Sequence, residues 1–107
     1  MFRNMTKVWL KVQAVVQTDG ETLIVGACDA DLLGKHLVDG KIDFHVSKQF
    51  FGGELVDTDK MVKVIARATT ANIVGVECIN AALAVGLVKE SSVKKIKNVP
   101  HAQIFTI

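Results

Sequence analysis

The chain has 107 residues, half of them apolar, and 13 Lys and Arg against 11 Asp and Glu give a formal charge of +2. A chain of this length buries roughly two-thirds of its unfolded surface, enough for one core without disulfides or metals. A charged fraction of 22% and a mean hydropathy of +0.33 exclude a disordered or low-complexity chain. So small a net charge identifies neither a nucleic-acid nor a membrane partner, because only its distribution matters.

The elements read as follows in chain order. Val8, Leu10, Val12, Ala14 and Val16 alternate with Trp9, Lys11 and Gln13, a period of two that predicts a strand with one wet face. Thr18-Asp19-Gly20-Glu21 supplies a hairpin turn in which Asp19 and Gly20 accept positive φ. The following TLIVGAC is apolar on both faces and predicts an interior strand. Asp29 to Gly34 reads as one or two helical turns, with Asp29 as N-cap and Gly34 at the C′ position. After the turn at Asp39-Gly40, the alternation of Ile42, Phe44 and Val46 predicts a half-exposed strand. Gln49-Phe50-Phe51-Gly52-Gly53-Glu54 reads as a loop that either plugs a core edge or offers an aromatic face. Asp57 is suited to cap a helix reaching about Ala68, with Asp59 in its first turn and Met61, Val62, Ile65 and Ala68 inward. A second helix, the most buried element, is expected from about Asn72 to Val85, ended by Gly86. VKKIKNV and HAQIFTI read as two short strands separated by a turn at Pro100, the only proline.

These elements predict an α+β fold: one domain over residues 1–107, a largely antiparallel sheet with a helical pair packed on one face. A β-rich barrel with a helical insertion is the alternative. Cys28 and Cys78 belong to no CxxC pair or Cys/His cluster and read as reduced core thiols. The first eighteen residues carry Arg3, Lys7 and Lys11 and lack the apolar run of a secretory signal, and no segment offers the roughly twenty apolar residues of a spanning helix. A cytoplasmic protein with no membrane partner is expected.

Lys94, Lys95 and Lys97, with Lys89 upstream, could follow a phosphate backbone, although lysines also protect edge strands from aggregation. Phe50, Phe51 and Trp9 are candidate stacking rings or, more cheaply, core. Enzyme chemistry would require pairing Cys28 with His45 or His101, which no local signature supports, so catalysis is not favoured. His36, His45 and His101 lack metal-ligand spacing, the carboxylate pairs Asp29/Asp31 and Asp57/Asp59 read as helix starts, and no Walker or Rossmann loop is present; neither metal nor cofactor is expected. Asn72 either caps the second helix or, with Gly75, His101 and Gln103, lines a pocket between NIVG and PHAQ.

The stretches VGACDADLLGK, FFGGELV, TANIVGVECINAALAVGL and IKNVPHAQ, within about Val8 to Ile104, resemble the small archaeal proteins of domain-of-unknown-function family 424. The matching landmarks are Cys28, Asp29, Leu32, Leu33, Gly34, Gly52, Asn72, Ile73, Val74, Gly75, Pro100, His101, Ala102 and Gln103. One departure stands out: many relatives place an acidic residue directly after the NIVG glycine, whereas here Val76 precedes Glu77. The family has no established activity, and the resemblance implies RNA binding. The favoured expectation is thus a non-catalytic RNA- or ribonucleoprotein-binding module using Lys94, Lys95, Lys97, His101 and Gln103, with Phe50 or Phe51 as a stacking platform. A small-molecule or enzyme pocket between NIVG and PHAQ, and a subunit completed by homo- or hetero-oligomerisation, are the alternatives. The first reading requires His101 and the lysines to share one solvent-facing surface.

Overall fold

The period-two segment at the N-terminus forms β1 (Lys7–Gln17), and the interior-type strand forms β2 (Gly20–Asp29). The computed structural model describes residues 6–106. β1 and β2 pair antiparallel and close with Gln17 opposite Gly20 across a two-residue turn at Thr18 and Asp19; Asp19 does not take the expected positive φ, which falls on Gly20 alone, at +145°, as it opens β2. β2 is central, as its two apolar faces require, with β1 on one side and the parallel strand β6 (Thr70–Val74) on the other.

The six-stranded sheet is completed by β5 (Glu54–Asp57), β7 (Lys94–Ile96) and β8 (Val99–Phe105) in the order β5-β1-β2-β6-β8-β7. It is open, not a barrel, and antiparallel except between β2 and β6.

Two helices cover one face. α2 (Thr58–Ile65) begins at Asp57, whose Oδ1 accepts the Lys60 N–H at 2.8 Å, and its Met61 and Ile65 are buried as expected. α3 (Val76–Ala84) ends in a Schellman arrangement in which Leu87 N–H donates to Ala82 and Gly86 N–H to Leu83. These helices enclose a core with Val8, Leu10, Val25, Ala27 and Ile73 of the sheet.

The second helix is shorter than expected. Residues 70–74 are a strand, because Thr70, Ile73 and Val74 favour a pleated surface and an apolar run of that length does not reveal its period. Nor is α3 the most buried element, since Val76, Glu77 and Asn80 face solvent.

The opposite face carries a second cluster that one-sided helix packing does not anticipate. It lies beneath a separate hairpin, β3 (His36–Asp39) and β4 (Ile42–His45), and α1 (Lys48–Phe51), a single turn capped by Ser47. Cys28, Leu37, Val46, Phe51, Val74 and Ile96 are buried there. α1 sits against Gly26, where a Cβ would lie 2.6 Å from the Phe50 carbonyl oxygen, so the absent side chain lets this layer approach the sheet.

Asp29 corrects two expectations together. It does not start a helix at its own position, where the chain runs through turns, and Asn72 does not cap α3. Instead the Asp29 carboxylate, at the end of β2, accepts the Glu77 N–H at 3.1 Å and the Cys78 N–H at 3.0 Å, capping α3 from a strand far away in sequence.

Candidate nucleic-acid interface

The segment VPHAQIF is strand throughout, so Pro100 marks no turn. The reversal lies before it, at Lys97 and Asn98, whose φ values of 53° and 65° are those of a two-residue hairpin turn. Such a turn makes the flanking Ile96 and Val99 the hydrogen-bonded pair, so Pro100 directs its backbone nitrogen away from β7. Its carbonyl accepts the Gly75 N–H at 2.9 Å just where β6 leaves the sheet, and the missing donor therefore costs no ladder bond. The Lys97 N–H donates to Asp39 Oδ2 at 3.0 Å, tying this turn to the β3-β4 hairpin.

With the strand in place, register decides which side chains meet. His101, Gln103 and Phe105 occupy one face of β8, spaced by about 6.8 Å per two residues. Opposite them on β6 stand Val74, Asn72 and Thr70, and on β7 Lys94 faces His101. Gln103 Nε2 donates to Asn72 Oδ1 at 2.9 Å. Asn72 also lines a shallow recess of about 220 Å³ with Phe44, His45, Ser47, Phe50 and Phe51. A carboxamide pair, an imidazole, an ammonium group and the half-buried Phe50 ring thus share the side of the sheet that carries the β3-β4 layer.

Other expected members fall elsewhere. Lys95 stands opposite Pro100, one residue out of phase with Lys94, and lines a cleft of about 450 Å³ on the α3 side together with Ile79, Leu83, Asn98 and Pro100. Lys97 is in the hairpin turn. The three lysines therefore do not form one stripe, because neighbouring strand residues point to opposite faces. Phe51 is 3% exposed and packs edge-on against Phe50 at 4.9 Å, so its ring belongs to the core and offers no platform. Trp9 is half-buried, its Nε1 donating to the Ala30 carbonyl. Gly75 lines neither recess; its bare Cα leaves room for the Asp29 carboxylate. The recess at Asn72 is not lined by His101 or Gln103, and the cleft at the α3 start is lined by Val76, Ile79 and Pro100.

Phe105 is the member that periodicity did not single out. It is 71% exposed, on the same face as Gln103. The alternation Val99, His101, Gln103, Phe105 carries the signal, but only once Pro100 is accepted inside the strand.

His101 is half-buried, its ring 5.7 Å from that of Phe44, and its Nδ1 is the buried side-chain polar atom without a hydrogen-bond partner among the described residues. An orphaned polar atom of this kind costs about 1–3 kcal/mol. His101→Phe, which keeps a flat ring and removes the nitrogen, is expected to raise the denaturation midpoint by a gain of about 1 kcal/mol. A lower midpoint would show that the imidazole is satisfied in the folded protein.

The cysteines are core groups. Burial, reinforced by the charges of Asp29 and Asp31, pushes the Cys28 thiol up to about 12. Cys78 is raised further, by burial first and then by Asp29. Both are protonated at neutral pH and poor nucleophiles. Among the described residues no group of three or more His, Cys, Asp or Glu could hold a metal ion. No helix there is long and apolar enough to cross a membrane.

A family model described as "Protein of unknown function (DUF424)" matches residues 16–107. The chain belongs to the DUF424 family. This DUF424 protein is also similar to the crystal structure of an uncharacterized conserved protein from Methanopyrus kandleri, at 26% identity and a TM-score of 0.75, over 92% of this chain and 90% of that one. No curated protein matches it. Two landmark segments of the DUF424 chain, CDADLLG and NIVG, meet in the structure, because Asp29 of the first caps the helix that follows Gly75 of the second. The departure at Val76 and Glu77 is read by the same contact, which uses the Glu77 backbone and leaves its side chain exposed.

Proposed function

We propose that this DUF424 protein is a non-catalytic RNA-binding module, and that the face of the sheet formed by β6, β8 and β7 beside the β3-β4 hairpin is its binding surface. The observation that carries the reading is the register that aligns Lys94 with His101 and Asn72 with Gln103, with exposed Phe105 next along β8. Single-stranded nucleic acid is held by stacking bases on aromatic faces, by hydrogen bonds from amides to base edges, and by ammonium groups on phosphates. Phe105 and Phe50 supply the rings, Asn72 and Gln103 the carboxamides, and Lys94 the charge, with Lys97 at the rim. A single strand suits this surface better than a duplex, because its bases are free to lie on an open sheet.

Fluorescence anisotropy with labelled single-stranded RNA tests the proposal. Affinity is expected to fall with salt, with a log–log slope of about 0.7 per phosphate contacted. Lys94→Glu should weaken binding and reduce that slope by about 0.7, whereas Lys95→Glu, on the other face, should have a much smaller effect. Phe105→Ala should cost about 1–3 kcal/mol of binding at no cost in fold stability. Equal losses at Lys94 and Lys95, or binding indifferent to salt, would contradict the assignment.

A further inference from the structure

The β1-β2 hairpin extends beyond the rest of the sheet. β5 pairs with β1 only from Lys7 to Leu10, so from Val12 to Gln17 the outer edge of β1 has no partner among the described residues. This edge, VQAVVQ, contains neither a charge nor a proline, the usual means by which edge strands discourage pairing. It also exposes valines: Val12, Val15 and Val16 are 45%, 42% and 78% exposed.

The direction of the free backbone groups follows from the register. The turn makes Gln17 and Gly20 a hydrogen-bonded pair, so Val15 and Gln13 also bond across to β2, whereas Ala14 and Leu23 form a non-bonded pair. Leu23 confirms the phase, since its carbonyl accepts the Thr69 N–H at 2.8 Å and its own N–H donates to Thr69 Oγ1 at 3.0 Å, both away from β1. Val12, Ala14 and Val16 therefore present their N–H and C=O groups to the open side.

We infer that this edge pairs with the same edge of a second copy, antiparallel about a two-fold axis at Val15. An isologous contact must join outward-facing residues to outward-facing residues, and this register sets Ala14 against Val16 of the second copy, with the reciprocal pair completing four backbone hydrogen bonds. Val15 meets Val15 of the second copy in the non-bonded position, where cross-strand side chains approach most closely. Gly53, packed against the Leu10 carbonyl and Lys11, sets the limit of the overlap, because the second copy's turn at Thr18 comes up beside it. The same register brings Asp19 of the second copy within reach of the Lys11 ammonium, so opposite charges close each end of the contact. The result is a continuous sheet of two six-stranded halves with the same face up. It covers the exposed valines and closes the edge, where head-to-tail addition would propagate into fibres.

Sedimentation equilibrium of the full chain from micromolar to millimolar concentration tests this, with circular dichroism as the folding control. The wild-type protein is expected to reach twice its 11.6 kDa chain mass. Ala14→Pro removes an N–H that the single chain does not use and should restore the single mass with the spectrum unchanged. Val15→Lys, which sets two ammonium groups against each other at the axis, should do the same and serves if the proline variant fails to fold. A wild-type chain that stays at the single mass throughout, or a dimer that survives Val15→Lys, would overturn the inference.

Discussion

Gly75→Ala is expected to lower the stability of this DUF424 domain by about 3 kcal/mol or more. Two costs coincide at this position. The residue sits at φ +113° and ψ 154°, backbone that side chains rarely adopt. A methyl group there would also overlap the Asp29 carboxylate, which has no slack because its oxygens hold the Glu77 and Cys78 amides. Gly86→Ala separates the two costs. Gly86 has φ +76° with nothing near the absent Cβ, so the substitution should cost only about 1 kcal/mol. Urea denaturation of both variants makes the comparison, and equal midpoints for the two would contradict the contact between Gly75 and Asp29.

The second large effect is expected at Asp29 itself. Its carboxylate is the side-chain acceptor at the start of α3, and the residue is 8% exposed, so water cannot readily replace it. Asp29→Ala leaves two amide donors without acceptors at a helix start and should cost about 2–4 kcal/mol. Asp29→Asn, which keeps one oxygen, should lie between alanine and wild type. The pair should be strongly non-additive, since alanine at 29 makes room for a methyl at 75. The double variant should be destabilised by clearly less than the sum of the single changes. Additive losses would show that the two residues act independently.

Which parts of this arrangement were legible in the sequence follows from the range of the forces involved. β1, β2, their turn and α2 with its Asp57 cap are set by neighbours within a few residues, and periodicity and cap chemistry predict them. TANIV was misread because five residues with half-buried Thr70 and Asn72 between apolar neighbours are too short a run to separate a period of two from a helical one, and the decisive break is a single glycine conformation. Asp29 could not be assigned because its partners lie 48 and 49 residues away, a distance that only folding closes. Pro100 misled for the opposite reason. A proline argues locally against a strand, but β6 departs beside it, so no donor is needed there. Placing the turn at Pro100 put the three lysines on one surface; placing it at Lys97-Asn98 puts Lys94 and Lys95 on opposite faces and brings Phe105 into the site. His101 and Gln103 stayed together under either reading, since alternate residues of one strand share a face.

The most direct measurement of the central claim is a titration of ¹⁵N-labelled protein with single-stranded RNA, followed by amide and side-chain NMR. Saturable shifts are expected at Lys94, His101, Gln103, Phe105 and the Asn72 carboxamide, with the α3 side unmoved. Shifts confined to Val76, Ile79 and Lys95, or none at low ionic strength, would contradict it.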